Sequence, residues 1–284
     1  MSKALQRLSK YVHRTPVFRS STVDEIVGRK VYFKAENLQK TGSFKFRGAL
    51  NALFEADPEQ LSNGVVTHSS GNHGACPTFA KLCKLLLLLL LFLWDCIVVK
   101  VFALLLFLLP GQGLAAAAQL LNVPCTVVVP HTCPATKVAA LQESYGATVL
   151  FCEPTQQSRN STVADVAEET GAVVIPPYNH VDVIAGQGTL AEEFLQQVSA
   201  EDGADGGLDA IIVPTSGGGM LAGIAGVAGK AGVKTFAVEP KGKVRGGLDV
   251  NTAPVRSISS LCTSCPDVGG SNVFQQTNHP PGSC

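Results

Sequence analysis

Charge is scarce in this chain, and neither sign prevails: 22 lysines and arginines stand against 22 aspartates and glutamates, together 15% of the residues. Without a net charge there is no electrostatic footprint for nucleic acid or an anionic surface, and no nucleic-acid partner is expected. An apolar signal-peptide core is missing from the polar start "MSKALQRLSKYVHRTP", so a secretory leader is not expected. Cys262 and Cys265 form a C-x-x-C with no second pair and no histidine at zinc spacing, so a metal site is not expected there. The nine cysteines are odd in number, scattered, and set mostly in apolar surroundings. That usage predicts free thiols in a reducing, cytoplasmic compartment.

What is present is a regular alternation. Short runs such as "VYFKAEN" (31–37), "GVVTHSS", "CTVVVP", "GATVLFCE", "AVVIPP", "DAIIVPTS" and "VKTFAVEP" predict buried strands. Between them "FKFRGALNALFEA" (44–56), "QGLAAAAQLLN", "PATKVAALQESYG", "SRNSTVADVAEETG" and "TLAEEFLQQVS" predict helices. Strand–helix alternation over 284 residues implies an α/β protein with open parallel sheets covered by helices, whose ligands sit at the carboxyl ends of the strands. From Val244 onward, glycine, proline, serine and cysteine dominate without any period, so 244–284 reads as an irregular tail.

Three stretches carry chemistry. In "KTGSFKFRGA", Lys45 opens a predicted helix beside Phe44, Phe46 and Arg47. Lysines on helices are ordinarily solvated, but one held among aromatics near a cationic arginine has its pKa lowered and becomes a nucleophilic amine. "THSSGNHG" follows a strand with small residues and donors, which suits close approach to a ligand or an ordinary polar turn. "PTSGGGMLAGIAG" (214–226) places consecutive glycines between a strand and a helix, where backbone N–H groups and the positive helix end cradle a phosphate. Gly217, Gly219 and Ala222 also fit the dinucleotide fingerprint G-x-G-x-x-A, with Glu239 about 20 residues on. By itself this loop leaves a nicotinamide-dependent oxidoreductase open.

Taken in order, "SFKFRGA", "SSGNHG", "GQG" and "SGGGMLAG" resemble the fold-type-II (tryptophan synthase beta-like) pyridoxal-phosphate enzymes, specifically the family of serine racemases and serine/threonine dehydratases. The resemblance runs from about Thr15 to Lys241 with one interruption, and it implies two lobes. A large lobe would comprise 1–66 and 181–243, and a small one 67–180. It further implies that Lys45 holds the pyridoxal phosphate covalently, that Asn72 and Asn179 contact it, and that Ser216, Gly217, Gly218, Gly219 and Met220 wrap its phosphate. Ser70 would be the second acid/base, opposite Lys45, and its presence favours racemase over dehydratase. Ser20, Ser21, Lys40, Thr41, Gln112 and Tyr145 fall where animal racemases bind ATP as an activator. Glu239 matches a ligand for Mg2+, although Lys243 and Arg245 stand at the next ligand positions. The implied substrate is serine, with threonine a second candidate, and the implied assembly a homodimer. A dehydratase-only enzyme and a catalytically impaired truncated product are the alternatives.

The interruption is an apolar block, "CKLLLLLLLFLWDCIVVKVFALLLFLLP", inside 75–111. Residues 85–109 are long enough to cross a bilayer, which takes about 20 residues. About 20 apolar residues at roughly −0.45 kcal/mol each outweigh Asp95 and Lys100 at about +3 kcal/mol each. A single span would nevertheless put Asn72 and Gln112, parts of one loop and helix, on opposite sides of a membrane. The block therefore reads as foreign to the working fold, with membrane association through 85–109 as the alternative.

Overall fold

The computed structural model describes residues 2–69, 110–202 and 207–238. Ser70, Asn72, Glu239, most of the apolar block and the tail lie outside them.

The first elements are α1 (Lys3–Leu8), β1 (Val17–Arg19), α2 (Ser21–Val27) and β2 (Tyr32–Lys34), with β1 and β2 antiparallel. The run 31–37, expected as one strand, gives β2 and then breaks into short 3-10 turns at Glu36–Leu38 and Lys40–Gly42. Next come α3 (Lys45–Glu55), α4 (Pro58–Leu61) and β3 (Val65–His68). The chain resumes with α5 (Pro110–Leu120), β4 (Cys125–Pro130), α6 (Ala135–Ala139) and a π-turn over Ala140–Ser144. The remaining elements are β5 (Thr148–Cys152), α7 (Gln156–Thr170), β6 (Val173–Val174), α8 (Val181–Asp202), β7 (Ala210–Pro214), α9 (Gly219–Lys230) and β8 (Lys234–Val238).

Strands β3 to β6 form a parallel sheet in the order β5-β4-β3-β6. The period of two decides its faces. Val65, Val127 and Val129 join the core beneath α3 and α5, while Val66 and Val128 join Val163 and Val166 of α7 on the other side. Both faces are buried, which is why these strands read as continuous apolar runs. Strands β7 and β8 pair in parallel separately. Here the expectation of a strand buried on both faces needs correction. Ile211 and Val213 enter the core of α8 and α9, but Ile212 is 68% exposed, because among the described residues helices cover one face only.

Helix α8 joins the parts that matter for the site, and it does so by lacking side chains. A Cβ on Gly186 would stand 2.6 Å from the Arg47 carbonyl oxygen, and one on Gly223 would stand 2.5 Å from the Ile184 oxygen and 2.6 Å from the Gly188 nitrogen. Glycines thus bring α3 and α9 into backbone contact with α8 on two sides. Gly223→Ala should cost about 1–3 kcal/mol by overpacking this junction, read as a lower urea midpoint. An unchanged midpoint would mean that α9 can shift freely on α8.

Candidate active site

Lys45 stands at the first position of α3. Helix α5 presses against its backbone through Gly113, where a Cβ would lie 3.1 Å from the Lys45 carbonyl carbon. The side chain lines a cavity with Ala49, Thr67, Leu114, Pro176, Val183 and Gln187. Its ammonium lies 5.1 Å from the Phe44 ring centroid, and burial pushes its pKa down to about 8. The aromatic setting read from the sequence is present, but the role expected of Arg47 is not. Arg47 is fully buried and turns away, donating from Nε and Nη2 to Glu36 at 2.8 Å each and from Nη1 to Glu193 at 2.9 Å. Burial alone would lower the Arg47 pKa, but these carboxylates outweigh it and raise it. Their charge cancels that of the guanidinium, so desolvation depresses Lys45 and its cationic neighbour does not.

The same carboxylates build a neutral cluster. Lys34 pairs with Glu193 and donates to Gln197 at 2.7 Å and to the Thr15 carbonyl at 2.8 Å, while Thr15 donates its hydroxyl to Glu36 at 2.7 Å. Two cations and two carboxylates tie β2, the turn at Glu36, α3 and α8 together, and so fix the start of the helix that carries Lys45.

The segment 176–179 connects the Lys45 cavity to the glycine loop. Pro176 and Pro177 line the cavity, and a Cβ on Gly217 would meet the Tyr178 ring at 2.6 Å. Gly218 has φ +85° and occupies the N-cap of α9, whose first residue is the buried Gly219. Ser216 and Met220 flank these glycines, with Ser216 exposed. Asn179 is exposed and left-handed at φ 55°. A glycine turn at a helix N-terminus, with free N–H groups, suits a phosphate.

Three further residues lie inside the motifs without standing out there: His68 and Ser69 in "THSSGNHG", and Gln187 in a "GQG". The His68 ring meets Tyr178 edge-on at 6.3 Å, and burial drives its pKa down to about 4, which keeps it neutral. Ser69 is fully buried with its hydroxyl unpartnered, and the Gln187 amide oxygen is equally alone. Unpartnered polar atoms are rare in native interiors; Gln187 lines the Lys45 cavity, and Ser69 closely follows Thr67, which lines it too. A lysine amine, a phosphate-type loop and unused polar groups are a donor set that fits pyridoxal phosphate.

The residues aligned with a nucleotide site are brought together only in part. Thr41 is strained at φ 62°, unusual for a β-branched residue, and its hydroxyl is buried without a partner. Lys40 lies 5.5 Å over the Phe46 ring. Their turn and the π-turn preceding Tyr145 both contact α5, on which Gln112 is buried. Ser20 caps α2 without a side-chain bond, and Ser21 is its exposed first residue. Among the described residues no group of three acidic, histidine or cysteine side chains could hold a metal. Nor is any described helix long and apolar enough to cross a membrane.

The family model described as pyridoxal-phosphate dependent enzyme matches residues 8–80 and 110–266. The unmatched stretch falls within the apolar block, and the match extends past Lys241. The chain is 40% identical over 244 residues to a serine racemase of Dictyostelium discoideum, covering 85% of this chain and 61% of that protein. It is 43% identical over 223 residues to an L-threo-3-hydroxyaspartate ammonia-lyase of a Pseudomonas species, covering 78% of this chain and 56% of that protein. The crystal structure of the Dictyostelium serine racemase superimposes with a TM-score of 0.65 over 84% of this chain and 64% of that one. The chain spans about three-fifths of the length of the first of these relatives.

Proposed function

The chain belongs to the pyridoxal-phosphate dependent enzymes, and from that premise we propose that it interconverts L- and D-serine, with β-elimination of serine or threonine as a side reaction. The observation that carries this reading is Lys45: a buried amine with a pKa near 8, at a cavity that the 176–179 segment connects to the glycine loop. Such an amine is neutral often enough near neutral pH to act as nucleophile and base.

Lys45 would hold the cofactor's aldehyde carbon, Ser216 to Met220 its phosphate, and Asn72 and Asn179 its remaining polar atoms. Bound there, pyridoxal phosphate supplies an electron sink for charge developing at the substrate Cα. Once the substrate's amino group had displaced it from the cofactor's aldehyde carbon, the freed Lys45 amine would take the Cα proton on one face. Ser70, next to the buried Ser69, returns a proton on the other face and yields D-serine. Loss of the β-hydroxyl instead yields pyruvate and ammonia after hydrolysis. The serine racemase relative favours the first outcome, and the hydroxyaspartate ammonia-lyase relative supports a second reading in which elimination is the only reaction.

The finer parts of the proposal are ATP at Ser20, Ser21, Lys40, Thr41, Gln112 and Tyr145, Mg2+ at Glu239, a homodimer, the two lobes bounded as in the sequence reading, and a cytoplasmic location. Support for the nucleotide comes from the strained Thr41, whose buried hydroxyl has no partner. Borohydride treatment of the protein with pyridoxal phosphate should attach the pyridoxyl group to Lys45, located by peptide mass. A label on a different lysine, or none in a folded sample, would overturn the assignment. Chiral analysis of the product from L-serine then separates the two readings: D-serine supports the first, and pyruvate alone supports the second.

A further inference from the structure

The glycines before α9 are not interchangeable. Gly218, at φ +85°, needs glycine for its backbone, and a Cβ there would meet nothing within 4 Å among the described residues. Gly217 needs it for another reason. Its φ is not positive, and the three atoms nearest to a Cβ there are Tyr178 Cδ1 at 2.6 Å, Cγ at 2.7 Å and Cβ at 3.2 Å. A Cβ on Gly219 would rest on Tyr178 again, 3.4 Å from its Cα and its Cβ. One residue thus lies against both glycines that flank the N-cap of α9.

Tyr178 is a stiff support. Pro176 and Pro177, whose rings fix φ, precede it, and the left-handed Asn179 follows before α8 begins at Val181. Its ring meets that of His68, the last residue of β3, with centroids 6.3 Å apart and planes at 83°. Aromatic pairs prefer such an edge-to-face arrangement. The ring therefore touches the glycine loop and the carboxyl end of a parallel strand at once. A run of three glycines is the loosest backbone a chain can build, so its N–H groups converge on an anion only when a neighbour fixes them.

We propose that Tyr178 is the positioning residue of the glycine loop, its ring holding Gly217 and Gly219 in the arrangement that receives a phosphate. The inference rests on the reading of Ser216 to Met220 as the cofactor's phosphate cradle. A flat, rigid ring lets a backbone without Cβ come close and stay in one place. A flexible aliphatic chain of lesser volume would let the loop settle in several positions. The atoms that approach Gly217 most closely are ring carbons and Cβ, so phenylalanine would serve as well as tyrosine. The effect belongs to ligands that carry the phosphate, because the ring acts through the loop and not through Lys45.

The test uses the full apo chain and two aldehydes, pyridoxal phosphate and pyridoxal. Each is trapped on Lys45 with borohydride and quantified by peptide mass over a range of concentrations. The parent should half-saturate at a lower concentration of pyridoxal phosphate than of pyridoxal. Tyr178→Leu should raise the half-saturating concentration of pyridoxal phosphate about 10–100-fold, as the loss of one hydrogen bond to a charged group would, and leave that of pyridoxal unchanged. Tyr178→Phe should keep the parental preference. A parental preference in folded Tyr178→Leu, an equal loss for both aldehydes, or a lost preference in Tyr178→Phe overturns the proposal. Where Tyr178→Leu does not fold, Gly217→Ala replaces it, because the added Cβ must push the loop off the ring. A parental preference in that variant overturns the proposal too. Failure of the underlying reading shows in the parent alone: equal capture of both aldehydes overturns the phosphate cradle, and pyridoxyl on a lysine other than Lys45 overturns the anchor.

Discussion

On the proposed racemase reading, alanine in place of Ser70 is expected to lower D-serine formation about 10²–10⁴-fold, the span typical of one general acid–base group, while pyruvate formation from L-serine persists. Racemisation requires a proton from the face opposite Lys45, whereas elimination requires only that Lys45 remove the Cα proton. A serine hydroxyl is a weak acid in water, so this role needs a closed site or a relay through water. Ser69 beside it in sequence is buried with an unpartnered hydroxyl. The measurement is chiral chromatography for D-serine alongside a coupled pyruvate assay on the same samples. If both products fall together, or D-serine persists at the parental rate, Ser70 is only a loop residue and the elimination-only reading takes over.

Arg47→Met unfolds the protein at a temperature about 6–20 °C lower, which follows from about 3–5 kcal/mol for leaving buried charge unpaired and about 2–4 °C per kcal/mol in a chain of this size. The variant keeps most of the apolar volume but strands Glu36, whose carboxylate receives two bonds from Arg47, and leaves Glu193 with Lys34 alone. Such a loss is a large share of the roughly 5–15 kcal/mol that holds a domain folded. Adding Glu36→Gln should recover part of it, because Lys34 and Glu193 then remain as a matched pair and no carboxylate is stranded. Thermal melts of parent, single and double variants by circular dichroism decide this. A single variant melting within about 2 °C of the parent would show that the cluster holds nothing in place.

Much of the framework was legible because it is local. The run "CTVVVP" is β4 to the residue, and "FKFRGALNALFEA" contains α3 with its ends trimmed by one residue each. The glycine run before α9 announced a turn at a helix N-terminus, which backbone geometry delivers with Gly218 at positive φ. Helix α8 begins at Val181, ahead of the stretch "TLAEEFLQQVS", because its first turns carry glycines that read as helix breakers. Those glycines are retained where backbones touch, a requirement set by α3 and α9 from elsewhere in the chain.

By itself the sequence determined the order of strands and helices, the place of Lys45 at a helix start, and the motifs that carry the family. Those features depend on residues close together in the chain, where period, turn chemistry and spacing act directly. Tertiary structure alone decided what stands opposite what. Arg47 looked like the cation that tunes Lys45, yet carboxylates 11 and 146 positions away neutralise it. Tyr178 and Gln187 did not stand out in the sequence, because a ring beneath a glycine loop and an amide lining a lysine's cavity are defined by their partners. Burial, and with it the price of an unpaired charge or an unshared lone pair, belongs to the assembled fold, and that is where the chemistry of this site is decided.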